Sequence, residues 1–259
     1  MSNPPGSFCW FECGSTDADA AKAFYTQLFG WSAVDVPMPG MEGPPYTLLK
    51  VGDADIAGLY QLTDPQFEGV PSHWMTYVGV DDADGTAKRA ETLGGAVVQG
   101  PMDVAGVGRI AFLRDPGGAN IAVFQPGEHR GTNPEKTNLG WSELHTPDTA
   151  AAKTFYCALF DWGAKEDASG QYTEFQVKGH SIGGMMEIPA AQRAFRPANW
   201  LPYAMVDDCD ATLARAEKLG ANVMVPARTL EHVGRFGVLQ DPTGAAIAVI
   251  KLEHHAKAG

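Results

Sequence analysis

Asp17-Ala18-Asp19-Ala20-Ala21-Lys22-Ala23-Phe24-Tyr25, continued by Phe29-Gly30-Trp31, decides the fold, because it returns as Asp148-Thr149-Ala150-Ala151-Ala152-Lys153-Thr154-Phe155-Tyr156 with Phe160-Asp161-Trp162. The offset is 131 residues, 148 less 17. Further along, Trp74 returns as Trp200, Val107-Gly108-Arg109 as Val233-Gly234-Arg235, and Asp115-Pro116 as Asp241-Pro242, now at an offset of 126. The five extra residues of the first copy fall where it carries the Pro/Gly-rich stretch from Pro37 to Pro45. A fainter period lies inside each half, where Asp17 to Leu28 aligns with Asp82 to Leu93 at an offset of 65. Self-similarity at fixed spacing speaks of architecture before any residue is given a role.

Four modules result, each a strand, an amphipathic helix opened by an Asp N-cap, and a series of strands with Gly-rich turns. The first strand is predicted over Phe8 to Cys13 and the first helix over Ala18 to Leu28, with a hairpin from Tyr46 to Leu62. The second module repeats this with His73 to Val80, Ala83 to Leu93 and Val97 to Phe124. The stretch Gln125 to Pro134 is polar, with Gly and Pro, and reads as a linker. The predicted division is a first domain over 1–126, a linker over 127–137 and a second domain over 138–259.

Composition narrows the partners. With 19 Lys and Arg against 31 Asp and Glu, the net charge is −12, and no local basic patch offsets it, so nucleic acid and anionic membrane surfaces are not expected as partners. No apolar run approaches the length of a membrane span and the N-terminus lacks a signal pattern, so the expected compartment is the cytoplasm. Cys9, Cys13, Cys157 and Cys209 show no metal-binding or redox spacing and are expected to be reduced and buried.

A β-α-β-β-β module duplicated within each half, with Phe-Tyr and a following Trp in its odd copies and Asp-Pro-x-Gly before an apolar strand in its even copies, resembles the vicinal oxygen chelate superfamily of glyoxalases, bleomycin-resistance proteins and extradiol dioxygenases. The two-domain arrangement is similar to proteins called hydroxylase or glyoxalase-like. The resemblance implies an α+β fold of two tandem domains, each of two modules whose sheets form a cup with helices outside and ligand inside. Enzymes of the family place metal-binding His or Glu on the first and last strand of each module. Carried over, the first-strand position falls on Trp10, Met75, Trp141 and Leu201, and the last-strand position on Ala57, Ala122, Gly183 and Ala248. None is a nitrogen or oxygen side-chain ligand, so no metal and no cofactor are expected. A two-residue slip would bring His73 into place without supplying a carboxylate. The remaining histidines, His129, His180, His232, His254 and His255, read as surface residues.

Residues two away along a strand share its face. The first cup is therefore expected to hold Trp10, Glu12, Met75, Tyr77, Ala57, Ala122 and Phe124, and the second Trp141, Glu143, His145, Leu201, Tyr203, Gly183, Ala248 and Ile250. Arg109 and Arg235 join them if Ile110 and Phe112, or Phe236 and Val238, pack beneath the helices. An aromatic wall with few polar groups suits an organic ligand. Each Trp can stack on a planar compound or simply fill a core, and each Glu can accept a hydrogen bond from a ligand or merely neutralise its Arg. The first functional expectation is metal-independent binding, sequestration or carriage of an aromatic or conjugated metabolite or antibiotic. The alternative is a metal-independent acid–base enzyme, an isomerase, cyclase or ring-opening hydrolase, working through Glu12 or Glu143. Glyoxalase or dioxygenase activity comes third. The partner is a small molecule, and the chain is expected to be a monomer or a homodimer.

Overall fold

A computed structural model describes residues 4–37, 43–63, 67–132, 137–231 and 233–253. The elements follow the fourfold repeat. The first module comprises β1 (Phe8–Ser15), α1 (Ala18–Phe29), β2 (Ser32–Val36), β3 (Tyr46–Val51) and β4 (Ala54–Gln61), and the second β5 (His73–Gly79), α2 (Ala83–Thr92), β6 (Ala96–Val104), β7 (Gly108–Arg114) and β8 (Asn120–Pro126). The third has β9 (Leu139–Thr146), α3 (Thr149–Phe160), β10 (Gly163–Glu166), β11 (Tyr172–Val177) and β12 (His180–Glu187). The fourth has β13 (Asn199–Met205), α4 (Cys209–Lys218), β14 (Asn222–Leu230), β15 (Gly234–Gln240) and β16 (Ala246–Leu252).

Every helix starts where its Asp stands. The side chains of Asp17, Asp82, Asp148 and Asp208 accept from the backbone N–H of Ala20, Gly85, Ala151 and Ala211, satisfying donors that a helix N-terminus otherwise leaves open. The fold is α+β, with two open eight-stranded sheets in the orders β2-β3-β4-β1-β5-β8-β7-β6 and β10-β11-β12-β9-β13-β16-β15-β14. Within each module the first strand pairs in parallel with the last, which fixes which residues share a face: Glu12 lies beside Gly58, Tyr77 beside Ala122, Glu143 beside Gly184 and Tyr203 beside Ala248.

The chain forms two compact units that interleave along the sequence. One comprises Met1–Trp10, Met75–Pro134 and Gly140–Leu201, and the other Phe11–Trp74, Glu135–Leu139 and Pro202–Gly259. A buried polar chain organises the core of each. In the second unit the Tyr25 hydroxyl donates to Asp241 Oδ2 at 2.7 Å and accepts from Trp74 Nε1 at 2.8 Å. In the first unit the Tyr156 hydroxyl donates to Asp115 Oδ2 at 2.9 Å and accepts from Trp200 Nε1 at 2.8 Å. The Tyr of each odd module is thus held by the Asp-Pro turn of an even module from the other half of the repeat. That accounts for units built crosswise, since fully buried Tyr, Trp and Asp groups must find partners. Burial pushes the Asp115 carboxyl above its ordinary range.

The polar stretch after β8 is also anchored. Thr132 donates its backbone N–H to the Cys9 carbonyl at 2.7 Å, and a side chain at Gly131, whose φ is +79°, would run into the same carbonyl. The four cysteines are free, with Cys9, Cys13 and Cys209 buried and Cys157 partly so. His232, His254 and His255 lie outside the described residues. Among the described residues no helix is long and apolar enough to cross a membrane.

Candidate functional site

Helix α1 covers the face of β1 that carries Cys13, whose thiol meets Tyr25, so Trp10, Glu12 and Gly14 occupy the opposite, inner face. The register corrects two expectations about that face. Gly58, not Ala57, lies beside Glu12, and Gly184, not Gly183, lies beside Glu143. A one-residue change of register moves a side chain to the other face. The second correction concerns the arginines. Arg109 lies in register with Gln125, whose side chain accepts from Ala83 N at the start of α2, so both turn toward the helix. There Arg109 Nε and Nη2 fork onto Asp84 at 2.6 and 2.9 Å, and Nη1 reaches Asp103 at 3.0 Å. Arg235 forks in the same way onto Asp210 of α4. Ile110 and Phe112, expected beneath the helices, are instead in register with Phe124 and Ala122 on the inner face.

In the second unit the Tyr46 hydroxyl donates to Glu12 Oε1 at 2.6 Å. The Tyr46 ring reaches that carboxylate by crossing Gly58, where any Cβ would overlap its hydroxyl. Beside them, a Cβ at Gly14 would come within 2.8 Å of the Tyr60 hydroxyl, so the Tyr60 ring fills the space that Gly14 leaves. Tyr203, on the face shared with Ala248, and Ile250, opposite Phe236, belong to the same unit. Arg228 lies over the Phe236 ring with its guanidinium carbon 4.8 Å from the centroid.

In the first unit Trp10 is 6% exposed, and the His129 ring packs edge-on against it, with centroids 4.7 Å apart. Phe124 meets the same imidazole at 6.1 Å, and Tyr77 meets Phe112 at 6.0 Å. His129 is therefore part of this aromatic cluster and not the bland surface residue expected of a linker. Met75 and Leu201 are buried on strands of this unit.

The same unit holds the polar cluster of the second half. Trp141, Glu143 and His145 alternate along β9 onto one face, with Trp141 half-buried and the other two buried. His145 Nε2 lies 2.8 Å from Glu143 Oε1, and Arg196 Nη2 lies 2.8 Å from His145 Nδ1. A guanidinium only donates, so Nδ1 accepts and the imidazole hydrogen sits on Nε2, directed at the carboxylate. Arg196 arrives from the segment between a 3-10 turn at Ala190–Gln192 and β13, where its Nη1 also donates to Gln192 Oε1 at 3.2 Å. The Tyr172 ring crosses Gly184 as Tyr46 crosses Gly58.

Two families of sequence match the chain. Residues 10–123 fit the Glyoxalase/Bleomycin resistance protein/Dioxygenase superfamily, and residues 142–250 fit a glyoxalase-like domain. Relatives align along nearly the whole chain. CFP32 of Mycobacterium tuberculosis (strain CDC 1551 / Oshkosh), provisionally named a glyoxylase, is 36% identical over 247 residues, 93% of both chains. The anthracycline biosynthesis protein DnrV of Streptomyces peucetius is 36% identical over 264 residues, 96% of this chain and 94% of its own. The chain belongs to the glyoxalase/bleomycin resistance protein/dioxygenase superfamily. The Mn(II)-bound glyoxalase of Novosphingobium aromaticivorans shares this superfamily fold with a TM-score of 0.64 at 16% identity, covering 97% of this chain and 83% of that one.

That glyoxalase is Mn(II)-bound, and a divalent centre needs several nitrogen or oxygen side-chain donors converging on one point. The inner-face positions of the four last strands are Gly58, Ala122, Gly184 and Ala248, which carry no donor atom. Among the described residues no group of three or more His, Cys, Asp or Glu side chains converges as a divalent site requires. These residues do not fit the superfamily's metal centre. Tyr46, Tyr172, Gly58 and Gly184 were not singled out from sequence, although each pair recurs at the offset of 126 and so carried a readable signal. Arg196 carried none, since its counterpart at that offset is Val70.

Proposed function

We propose that the chain binds a small planar organic molecule, aromatic or conjugated, at the Trp141–Glu143–His145 face of its second half, without using a metal ion. The observation that carries this reading is the cluster itself: a half-buried indole beside a carboxylate and an imidazole that are each buried and hydrogen-bonded. Burying such groups is costly unless their positions are held, and an aromatic surface with a few fixed polar atoms is how small-molecule sites secure orientation. Relatives named for anthracycline biosynthesis support the ligand class, since anthracyclines are planar hydroxylated quinones. Titrating tryptophan fluorescence with hydroxyanthraquinones tests the reading. Saturable quenching that weakens in Trp141→Ala is expected; no quenching by any of them, with the circular dichroism of a folded protein, would sink it. Metal analysis of the same preparation is expected to find no stoichiometric metal.

The His145 partner of Glu143 also supports a second reading, acid–base catalysis on the bound molecule, in which the carboxylate takes up or returns a proton. Under that reading Glu143→Gln abolishes turnover while binding persists.

A further inference from the structure

The polar chain of the second half has a direction. Arg196 donates to His145 Nδ1, and the imidazole in turn donates from Nε2 to Glu143. Each link passes a donor toward the next residue, and Glu143 accepts the last of them with a carboxylate, whose two oxygens offer several lone pairs and no hydrogen. The Glu143 side chain is 11% exposed against 6% for His145, so Glu143 is the less buried of the two side chains. Trp141 stands two residues away on the same strand face.

Resting on the binding reading above, we propose that this site selects its ligand by a hydrogen-bond donor, a phenolic hydroxyl on the planar molecule, and that Arg196 sets this selectivity at a distance by holding the His145 tautomer. A phenol O–H meeting Glu143 forms a charge-assisted bond, whereas an ether or carbonyl oxygen in its place sets lone pair against lone pair in a poorly hydrated site. Arg196 is a positioning residue. Without its N–H nothing holds Nδ1, and the ring can turn so that Nε2 no longer donates to Glu143, which frees the tautomer and releases the carboxylate from its fixed orientation. The first half lacks this arrangement, because Gly14 stands where the second has His145 and the Tyr60 ring occupies the adjoining space.

The test, run at a pH below the first ionisation of alizarin (1,2-dihydroxyanthraquinone), compares that compound with its dimethyl ether, which keeps the ring system and loses the 2-hydroxyl donor. Fluorescence titration of the intact protein is expected to show alizarin binding about a hundredfold more tightly, the order of loss when a hydrogen bond to a charged group goes unmade. Glu143→Gln is expected to reduce that ratio to within about threefold, and Arg196→Met to reduce it by about tenfold, with Arg196→Lys restoring most of it. The imidazole 15N resonances of His145 supply a readout that simple destabilisation would not move: a protonated Nε2 and bare Nδ1 in the wild type and in Arg196→Lys, lost in Arg196→Met. Equal affinity for the two compounds overturns donor selection and leaves the binding reading standing. A full ratio surviving in Glu143→Gln overturns the assignment to that carboxylate, and a wild-type tautomer retained in Arg196→Met overturns the role of Arg196. Absence of binding by both compounds removes the binding reading and this proposal together.

Discussion

Glu12 and Glu143 occupy equivalent places in a repeat, yet the next residue on the same strand face differs, Gly14 after the one and His145 after the other. Glu12 takes its hydrogen bond from Tyr46, across a glycine, next to a second tyrosine that fills the gap beside Gly14. Glu143 takes one from His145, itself held by an arginine that the first half does not possess, and the residue beside His145 is the flexible Met186 where the first half has Tyr60. Gly14 leaves space that the Tyr60 ring fills, whereas the second half has His145 in register with Met186. Duplication has kept the frame, Glu beside Gly beneath Tyr, and let the adjoining pair diverge. The Asp-Pro turns diverge in the same manner. Asp241 Oδ1 accepts from the Thr243 hydroxyl and from the N–H groups of Thr243, Gly244 and Ala245, whereas Asp115 has Gly117 in place of Thr243 and so lacks the hydroxyl.

The largest effect is expected where the halves look most alike. Tyr25→Phe and Tyr156→Phe each strand a buried Trp Nε1 and an Asp oxygen, at about 1–3 kcal/mol for each unsatisfied group. Because Asp241 retains more donors than Asp115, Tyr156→Phe should cost more than Tyr25→Phe. Urea unfolding of the two variants checks this, and the reverse order would mean that the Thr243 hydroxyl contributes little.

The Asp115 carboxyl also offers a test by pH. Burial, the foremost cause, raises the Asp115 carboxyl above its unfolded value despite the donors from Ala119 and Tyr156. A carboxyl raised on folding binds its proton more tightly in the native state, so its contribution to stability is complete below the ordinary carboxylate range and is lost as pH rises through the folded value. The stability difference between wild type and Asp115→Asn should therefore shrink as pH rises from about 4 toward neutrality. A difference independent of pH would place that carboxyl at its ordinary value.

Smaller effects are expected at the glycines under the tyrosines. Gly58→Ala and Gly184→Ala each push a rigid ring off its seat, at about 1–3 kcal/mol. The first should also break the Tyr46 bond to Glu12 and leave the second half's ligand response unchanged; a loss of that response in Gly58→Ala would show that the two halves do not act separately.

What could be read in advance follows from range. The helices and their Asp caps are local in sequence and were legible from the repeat alone. Inner-face parity was legible along β1 and β9, where Trp10 and Glu12, or Trp141, Glu143 and His145, alternate. It failed by one residue on β4 and β12, because the partner of Glu12 or Glu143 is set by parallel pairing between strands far apart in sequence, and Ala57-Gly58 and Gly183-Gly184 contain no apolar contrast to fix the face. It failed on β7 and β15 for a different reason. Bulk was taken to mark the helix side, but the inner face is itself apolar, and Asp84 and Asp210 in the first helical turns fix Arg109 and Arg235 outside. Arg196 was beyond reach, since it stands outside the repeated elements and meets His145 from 51 positions away.

The mildest test of the comparison lies at the helix ends. Helix α1 closes on Gly30 with φ +70°, and α3 closes on Asp161 with φ +57°. Both backbones occupy the left-handed region, which glycine enters without steric cost and aspartate does not. If the two caps are otherwise equivalent, Asp161→Gly should stabilise the protein by about 0.5–1 kcal/mol and Gly30→Asp should destabilise it by a similar amount. Thermal unfolding of the two single variants and of the double exchange checks this, with the double variant expected near wild type. A loss of stability in Asp161→Gly would show that the carboxylate contributes more than its backbone strain costs, and that this cap, like the site on β9, has acquired a role its counterpart lacks.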